Sequence, residues 1–200
     1  MSEFREAVRL KPDFAAARRD LGEALWESGQ SEEAMTEFKT ALRLAPGDTE
    51  AARALAMAYY ARGRLDEATA PLEDVLRLKP DQPEAHNNLG LVLQALRKMD
   101  ESAAHFREAI RLNPAYAEAH YNLGNSLLTL GRRSEAIAEF MAALQSKADF
   151  AEAHDHLGAA FYAAGRFAEA AAEFAEAVRL KPDLAGAKNN LELARRAMRP

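Results

Sequence analysis

The segment Ala-Val-Arg-Leu-Lys-Pro-Asp stands at residues 7–13 and returns unchanged at residues 177–183. Close variants lie between these two copies, at residues 41–47, 75–81 and 109–115. The proline of each copy falls on a grid of 34 residues, at Pro12, Pro46, Pro80, Pro114 and Pro182. Ala148 occupies the one point of the grid that lacks proline. A fixed period of this length indicates an array of small units that stack on their neighbours.

The grid divides the chain into repeats when each proline is counted as position 32. Five full repeats follow, at residues 15–48, 49–82, 83–116, 117–150 and 151–184. Residues 1–14 correspond to the second half of an earlier repeat, and residues 185–200 to the first half of a sixth. We therefore expect a single array over residues 1–200, which begins with a partial repeat and ends with a capping helix.

Each repeat has the pattern of two helices separated by a tight turn. Positions 1–14 are rich in Ala, Leu and Glu, which favour helix. Position 15 is glycine in four repeats, a residue that readily adopts the left-handed conformation at a helix end, whereas the third repeat has Arg97 there. Position 19 is always glutamate, in the first turn of a second helix, and the proline at position 32 ends that helix. The pattern predicts a helical hairpin in every repeat.

The small and aromatic residues of the hairpin follow a family pattern. Position 8 is glycine or alanine, as in Leu123-Gly124, and position 20 is alanine in four repeats. Position 24 is phenylalanine or leucine, and position 27 is alanine or valine. Over essentially the whole chain this pattern resembles the tetratricopeptide repeat. The resemblance implies an all-α fold, a right-handed α-solenoid of antiparallel helix pairs, with a concave groove that binds peptides or partner proteins.

Positions 2, 5, 6, 9, 12 and 13 of the first helix lie together on one side of a helical wheel. In a tetratricopeptide array that side lines the concave groove. The residues that we expect to contact a bound peptide are Met57, Tyr60, Asn88, Leu91, Tyr121, Asn122, Asn125, His156, Tyr162 and Asn190. Trp26 lies on the same side, and aromatic side chains with a polar atom are favoured in binding surfaces. The alternative for these aromatic residues is packing against the adjacent helix.

Position 6 carries an asparagine in three of the first helices, at Asn88, Asn122 and Asn190. Because an amide both donates and accepts hydrogen bonds, a column of amides can hold a peptide backbone without reading its side chains. The column resembles the asparagine ladder in the repeat arrays of O-linked N-acetylglucosamine transferases, although Asp20 and Ala54 interrupt it. We expect these amides to point into solvent in the free protein. The alternative is that asparagine is simply a common polar residue at this position.

A carboxylate clamp of the kind that holds the acidic tails of heat-shock chaperones is not predicted. Such a clamp needs a lysine at position 2. Four repeats instead have a glutamate there, at Glu50, Glu84, Glu118 and Glu152. A glutamate repels the carboxylate that the clamp would have to bind.

Three histidines recur at position 4, one in each of three successive repeats: His86, His120 and His154. Packed helices are roughly 8–10 Å apart, which is too far for these side chains to share a metal ion at about 2 Å. We therefore predict that they pack, and that the chain holds no metal or other cofactor. The chain has no cysteine, and no catalytic triad or phosphate-binding glycine loop stands out from the repeats. We predict that it is not an enzyme.

Composition narrows the class of protein further. The 200 residues are 48% hydrophobic and 28% charged, which is typical of a folded protein. The net charge of −5 argues against a nucleic-acid partner. No apolar run approaches the roughly 18 residues of a membrane-spanning helix, and the acidic N-terminus is unlike a signal peptide. We predict no membrane association and a cytoplasmic location.

The two ends of the chain differ. The last segment keeps an apolar side that can cover the preceding repeat, formed by Ala187, Leu191, Ala194 and Met198. Its opposite side is charged, as a terminal cap requires, with Lys188, Glu192 and Arg195. The first segment lacks the partner helix that its apolar residues need. Two explanations stay open, a fragment of a longer array or a short N-terminal cap, and this half-repeat also offers a surface for self-association.

These patterns favour a non-catalytic interaction module that binds an extended peptide or a partner surface in the concave groove. Two alternatives remain from the sequence alone. One is the substrate-recruiting region of a larger enzyme, such as a glycosyltransferase. The other is a scaffold that associates with itself.

Overall fold

The computed structural model describes residues 2–199; Met1, in the predicted half-repeat, and Pro200, in the predicted capping segment, lie outside the described residues. Residues 2–199 form twelve α-helices and no β-strand. The helices are α1 (Ser2–Leu10), α2 (Ala15–Glu27), α3 (Ser31–Leu44), α4 (Thr49–Ala61), α5 (Leu65–Leu78), α6 (Pro83–Ala95), α7 (Met99–Leu112), α8 (Ala117–Thr129), α9 (Arg133–Ser146), α10 (Ala151–Ala163), α11 (Phe167–Leu180) and α12 (Ala187–Ala197). The predicted all-α fold of helix pairs is confirmed. None of the described helices is long and apolar enough to cross a membrane.

The first helix of each repeat is called the A-helix and the second the B-helix. The A-helices are α2, α4, α6, α8, α10 and α12, and the B-helices are α1, α3, α5, α7, α9 and α11. The chain divides into two compact units between Lys98 and Met99. In the first unit each helix packs on the next along the chain, and α4 also contacts α6. In the second unit the same order holds, and α10 contacts both α8 and α12. These contacts between A-helices therefore join consecutive repeats within each unit.

The turn between the two helices uses a left-handed residue in every repeat. The glycines at position 15 have φ between 71° and 81°, and Arg97 in the third repeat has φ 62°. The next residue donates its N–H to a carbonyl five residues earlier, as Gln30 does to Leu25 and Lys98 does to Leu93, both at 2.9 Å. Arg97 thus takes the glycine conformation with a side chain attached, at a cost of about 1–2 kcal/mol.

The glycine at position 8 lets an aromatic ring approach the A-helix backbone. A Cβ atom placed on Gly124 would lie 2.5 Å from Cε1 of Phe140, and one placed on Gly22 would lie 2.6 Å from the equivalent atom of Phe38. In the second repeat position 8 is Ala56 and position 24 is the smaller Leu72, and both belong to the same buried core cluster. The size of the residue at position 8 is therefore matched to the size of the residue at position 24. This pair of residues sets how closely the two helices of a repeat pack.

The last helix of the second unit, α12, has a buried edge and a charged edge. Ala187 and Ala194 are fully buried, whereas Lys188, Glu192 and Arg195 are exposed. Met198 was expected on the covered side, but it is 45% exposed because α12 ends at Ala197. The charged edge has no further helix packed on it among the described residues.

Candidate functional site

Each of the two units presents a candidate site, its A-helix face, which we define as the surface formed by positions 2, 5, 6, 9, 12 and 13 of the A-helices of that unit. Tyr60 is 45% exposed on the face of the first unit. Partly buried on the two faces are Met57, Leu91, Tyr121, Asn125, His156, Tyr162 and Asn190. Asn88 and Asn122 are only 8% exposed, so the expectation that these amides point into solvent is wrong. Position 6 lies on the side of its helix that reaches back toward the preceding A-helix, as the contacts of His156 and Asn190 show.

His156 joins two A-helices through both of its ring nitrogens. Its Nδ1 lies 2.5 Å from Oδ1 of Asn125, and its Nε2 lies 3.4 Å from the hydroxyl oxygen of Tyr121. Because an amide oxygen can only accept, Nδ1–H donates to Asn125 and the Tyr121 hydroxyl donates to Nε2. Burial lowers the pKa of His156 and raises the pKa of Tyr121. The neutral imidazole is therefore the form that this cluster holds.

Asn190 and Asn88 occupy the same position in their repeats but differ in their partners. Asn190 donates from Nδ2 to Oδ1 of Asp155, at position 5 of the preceding repeat, over 3.3 Å. Nδ2 of Asn88 is buried, and no described residue accepts a hydrogen bond from it. The repeat before Asn88 has Arg53 and Met57 at positions 5 and 9, and neither side chain carries an oxygen acceptor. Asn88 thus keeps an unused donor on the A-helix face.

Two hollows open on the A-helix faces, at equivalent places in the repeats. The N-terminal hollow, between α2 and α4, has a volume of about 310 Å³ and is lined by Glu23, Trp26, Glu27, Phe38, Arg53, Ala54, Met57 and Ala58. The C-terminal hollow, between α10 and α12, has a volume of about 150 Å³ and is lined by Ala159, Tyr162, Phe174, Asn190 and Leu193. At the equivalent place between α8 and α10, the His156 ring lies against Phe140, with ring centroids 5.9 Å apart.

Sequence reasoning placed most of these side chains on one face but did not predict the hollows. Each hollow combines positions 9 and 12 of one A-helix with positions 6 and 9 of the next, over a ring from position 24 of the B-helix. The contributions of Phe38 and Phe174 were not predicted, because position 24 lies on the B-helix and the groove was predicted from positions of the A-helix alone. The signal in the sequence that identifies the hollows is the combination of positions 9 and 12 of one A-helix with positions 6 and 9 of the A-helix in the next repeat.

Position 4 forms a polar link between the two helices of a repeat. Nδ1 of His120 lies 2.7 Å from Oε2 of Glu139, and its Nε2 lies 3.1 Å from the carbonyl oxygen of Pro114. His154 makes the same link to Glu173 at 2.6 Å. Since a carboxylate and a carbonyl oxygen can only accept, the protonated imidazolium of His120 satisfies both of its contacts. The hydrogen bond to Glu139 raises the pKa of His120.

The same link exists with a different side chain in the first repeat. Arg18 donates to Glu37 over 2.8 Å and to the carbonyl oxygen of Pro12 over 2.7 Å. The second repeat has Ala52 and Pro71 at these positions and lacks the link. His120 and His154 are therefore hydrogen-bonded both to the B-helix of their own repeat and to a carbonyl oxygen of the preceding repeat. Nε2 of His86 lies 2.9 Å from the carbonyl oxygen of Pro80, also in the preceding repeat. Among residues 2–199 no three side chains of the metal-binding types come together in a way that could hold an ion.

Comparison with known proteins identifies the family. The sequence pattern of the tetratricopeptide repeat matches residues 25–90, 87–149 and 121–185, which together span most of the chain. The chain belongs to the tetratricopeptide-repeat family. No protein in the curated sequence collections matches this tetratricopeptide-repeat chain significantly.

Solved structures of other tetratricopeptide-repeat proteins share the fold. A thermophilic protein of this family from Thermus thermophilus, TTC0263, is 25% identical, with a TM-score of 0.72 over 90% of this chain and 98% of its own. MamA is 25% identical, with a TM-score of 0.71 over 87% of this chain and 94% of its own. YrrB is 22% identical, with a TM-score of 0.70 over 94% of this chain and 97% of its own, and its likeness shows the fold alone. The predicted solenoid of helix pairs is confirmed.

Proposed function

We propose that this chain is a non-catalytic interaction module that binds an extended peptide or a partner surface on an A-helix face. Membership of the tetratricopeptide-repeat family supports a protein-interaction module in general. The residues that we propose as contacts are Met57, Tyr60, Asn88, Leu91, Tyr121, Asn122, Asn125, His156, Tyr162 and Asn190. To them the structure of the hollows adds Trp26 and Leu193.

The observation that carries the proposal is the pair of hollows. Each presents a partly buried aromatic ring with a polar atom, Trp26 or Tyr162, beside a flexible apolar side chain, Met57 or Leu193. Aromatic residues of this kind supply large contact areas with little loss of rotamer entropy, and they are frequent among the residues that dominate binding energy. YrrB, which has the same fold, is described as having an unusual peptide-binding site.

The side chains at position 6 would contribute unequally to the binding of a ligand. Asn190 is held by Asp155 and His156 by Asn125, so each must give up a partner before it binds a ligand. Nδ2 of Asn88 has no such partner among the described residues. Because this nitrogen is buried in the free chain, the side chains that cover it must move before a carbonyl oxygen of a bound chain can accept from it, with a net gain of about 0.5–1.5 kcal/mol. We propose Asn88 as the contact of the column that breaks no existing hydrogen bond of its Nδ2.

Selection from a phage-displayed library of random peptides on the immobilised chain tests the proposal. We expect peptides to be retained, and we expect Trp26→Ala or Tyr162→Ala to weaken the selected peptides by roughly tenfold. Arg107→Ala is the matched control, because Arg107 is exposed on a B-helix, α7, outside the A-helix face. Circular dichroism checks that each variant is folded. If Arg107→Ala impairs binding and the two aromatic variants do not, the binding surface lies on the B-helices.

Self-association through the half-repeat is a second candidate. No residue of α1 is buried, and its side chains Phe4 and Leu10 are 37% and 69% exposed. Apolar surface of this kind is often covered by a partner. Light scattering over a range of concentrations tests this candidate. We expect a mass above that of a monomer, which Phe4→Ser with Leu10→Ser returns to the monomer value; a monomer at all concentrations would reject it.

A further inference from the structure

We infer that the N-terminal hollow binds a lysine or arginine side chain of a peptide partner, a specificity that rests on the proposed function. The aliphatic stem of the bound side chain would pack on Trp26 and Met57. Its cationic end would then lie beside the carboxylates of Glu23 and Glu27, with the Trp26 ring adding a cation–π attraction. All four residues line the same hollow.

The two carboxylates flank the aromatic ring and are unpaired. Glu23 and Glu27 are one turn apart on α2, on either side of Trp26, and both are exposed. Neither makes an ion pair with any residue in the described range 2–199, although Glu23 lies within the field of Arg19, one turn away. Arg19 itself is hydrogen-bonded to Asp20 and, over 3.2 Å, to a second aspartate, Asp48.

The cationic side chain that lines the hollow, Arg53, is itself paired. Arg53 donates from both Nε and Nη2 to Glu50, over 3.0 and 2.9 Å. Its charge is thereby offset within α4, and the unbalanced charge of the hollow is that of Glu23 and Glu27. Apolar walls with a negative edge are complementary to a side chain that has an aliphatic stem and a positive end.

The placement of these carboxylates disfavours folding of the free chain. Like charges four residues apart on a helix repel each other. Glu27 is also the last residue of α2, where the helix dipole disfavours a negative charge, and the last turn contains no basic residue. A cation bound at this point would relieve both effects. The arrangement is therefore better suited to the bound state than to the free one.

The C-terminal hollow shows that the architecture does not require these charges. There, Ala159 and Ala163 occupy the positions of Glu23 and Glu27, while the aromatic residue at position 12 is kept as Tyr162. The same kind of hollow thus exists with a negative edge and without one. We expect the C-terminal hollow to accept an uncharged apolar side chain.

Binding in the N-terminal hollow can be measured through Trp26, because it is the only tryptophan of the chain. Its fluorescence therefore reports on this hollow alone. The probes are the peptides selected from the random phage library, made synthetically. We expect them to be enriched in lysine or arginine and to change the Trp26 emission on binding. Replacing the basic residue with norleucine should weaken binding by about 3- to 30-fold.

Charge-matched variants identify the partner of the basic residue. Glu23→Gln with Glu27→Gln should abolish the difference between the lysine and norleucine peptides while still binding both. Glu3→Gln with Glu73→Gln removes the same charge from the B-helices α1 and α5, and it should keep the difference. If selected peptides lack basic residues, or carry acidic ones, or bind the two double variants alike, the inference is wrong and the proposed function stands. If no peptide is retained by the parent chain, both fail.

Discussion

Nδ1 of His120 and Oε2 of Glu139 lie 2.7 Å apart, so that an A-helix and its B-helix are joined by a pair whose charge depends on pH. Only 9% of His120 is exposed, and its second nitrogen faces the carbonyl oxygen of Pro114. Both nitrogens therefore meet acceptors. Protonation of this buried ring strengthens the link between the two helices rather than breaking it.

The raised pKa of His120 predicts a pH-dependent loss of stability in the variant Glu139→Gln. The folded chain holds the proton more tightly than the unfolded chain, so the stabilisation is complete below pH 6.5 and is lost as the pH rises through the folded pKa. We expect Glu139→Gln to lower the free energy of unfolding by about 1–2 kcal/mol at pH 5.5, and by less at pH 8.5. Urea denaturation at the two pH values measures the difference.

A matched control separates this effect from a general loss of charge. Glu135→Gln removes a carboxylate that pairs with Arg132 over 2.6 Å on an exposed surface of the same B-helix, α9. Because arginine does not titrate between these pH values, its small effect should be the same at both. An equal effect of Glu139→Gln at pH 5.5 and 8.5 would show that His120 does not titrate through this contact.

The match between positions 8 and 24 predicts a rescue by a second substitution. Gly124→Leu should cost about 1–3 kcal/mol or more, because even a Cβ atom there would lie 2.5 Å from the ring of Phe140. Gly124→Ala should also destabilise the chain, and Phe140→Leu in the same chain should recover part of that loss by reproducing the Ala56–Leu72 pair of the second repeat. Thermal melts of the single and double variants measure the coupling. Independent, additive losses would argue against the observed contact.

The left-handed turn at Arg97 predicts a stabilising substitution. Arg97→Gly should raise the free energy of unfolding by about 0.5–1 kcal/mol, because glycine adopts φ 62° without steric cost. Arg62→Gly is the control, since Arg62 has φ −91° and gains nothing from glycine. Chemical denaturation of both variants gives the comparison. Destabilisation by Arg97→Gly would mean that this turn is not left-handed.

The unused donor of Asn88 predicts opposite effects on stability and binding. Asn88→Leu removes a buried polar group that has no partner, so the free energy of unfolding should rise by about 1 kcal/mol. Its affinity for a selected peptide should fall by roughly 2- to 10-fold. Asn190→Leu should not be stabilising, because it leaves Asp155 without its hydrogen bond. Calorimetry of binding and of unfolding tests both; a stabler Asn88→Leu that binds peptide normally would remove Asn88 from the site.

The fold could be predicted from the sequence because its determinants are local and recur. Position 15 ends one helix, position 32 ends the next, and a small residue at position 8, such as Gly124, meets an aromatic residue 16 positions later. The contact of His156 with Asn125 could not be predicted in the same way, since it joins residues 31 positions apart in different repeats. The burial of the position 6 amides was missed for the same reason. A helical wheel describes one helix, and these side chains are buried by the next one.

Each hollow lies at the junction of two repeats. The unit that the sequence repeats is one helical hairpin, whereas the unit that would recognise a partner is formed by two neighbouring hairpins. A second copy of residues 15–48, inserted after Asp48, would create a junction in which Trp26 faces Asp20 and Glu23 instead of Ala54 and Met57. The helical hairpin would be unchanged, but the chemistry of the new junction would be found nowhere else in the chain. The order of the repeats, and not only their composition, therefore determines the chemistry of the junctions. Exchanging two intact repeats would alter every junction in which either of them takes part.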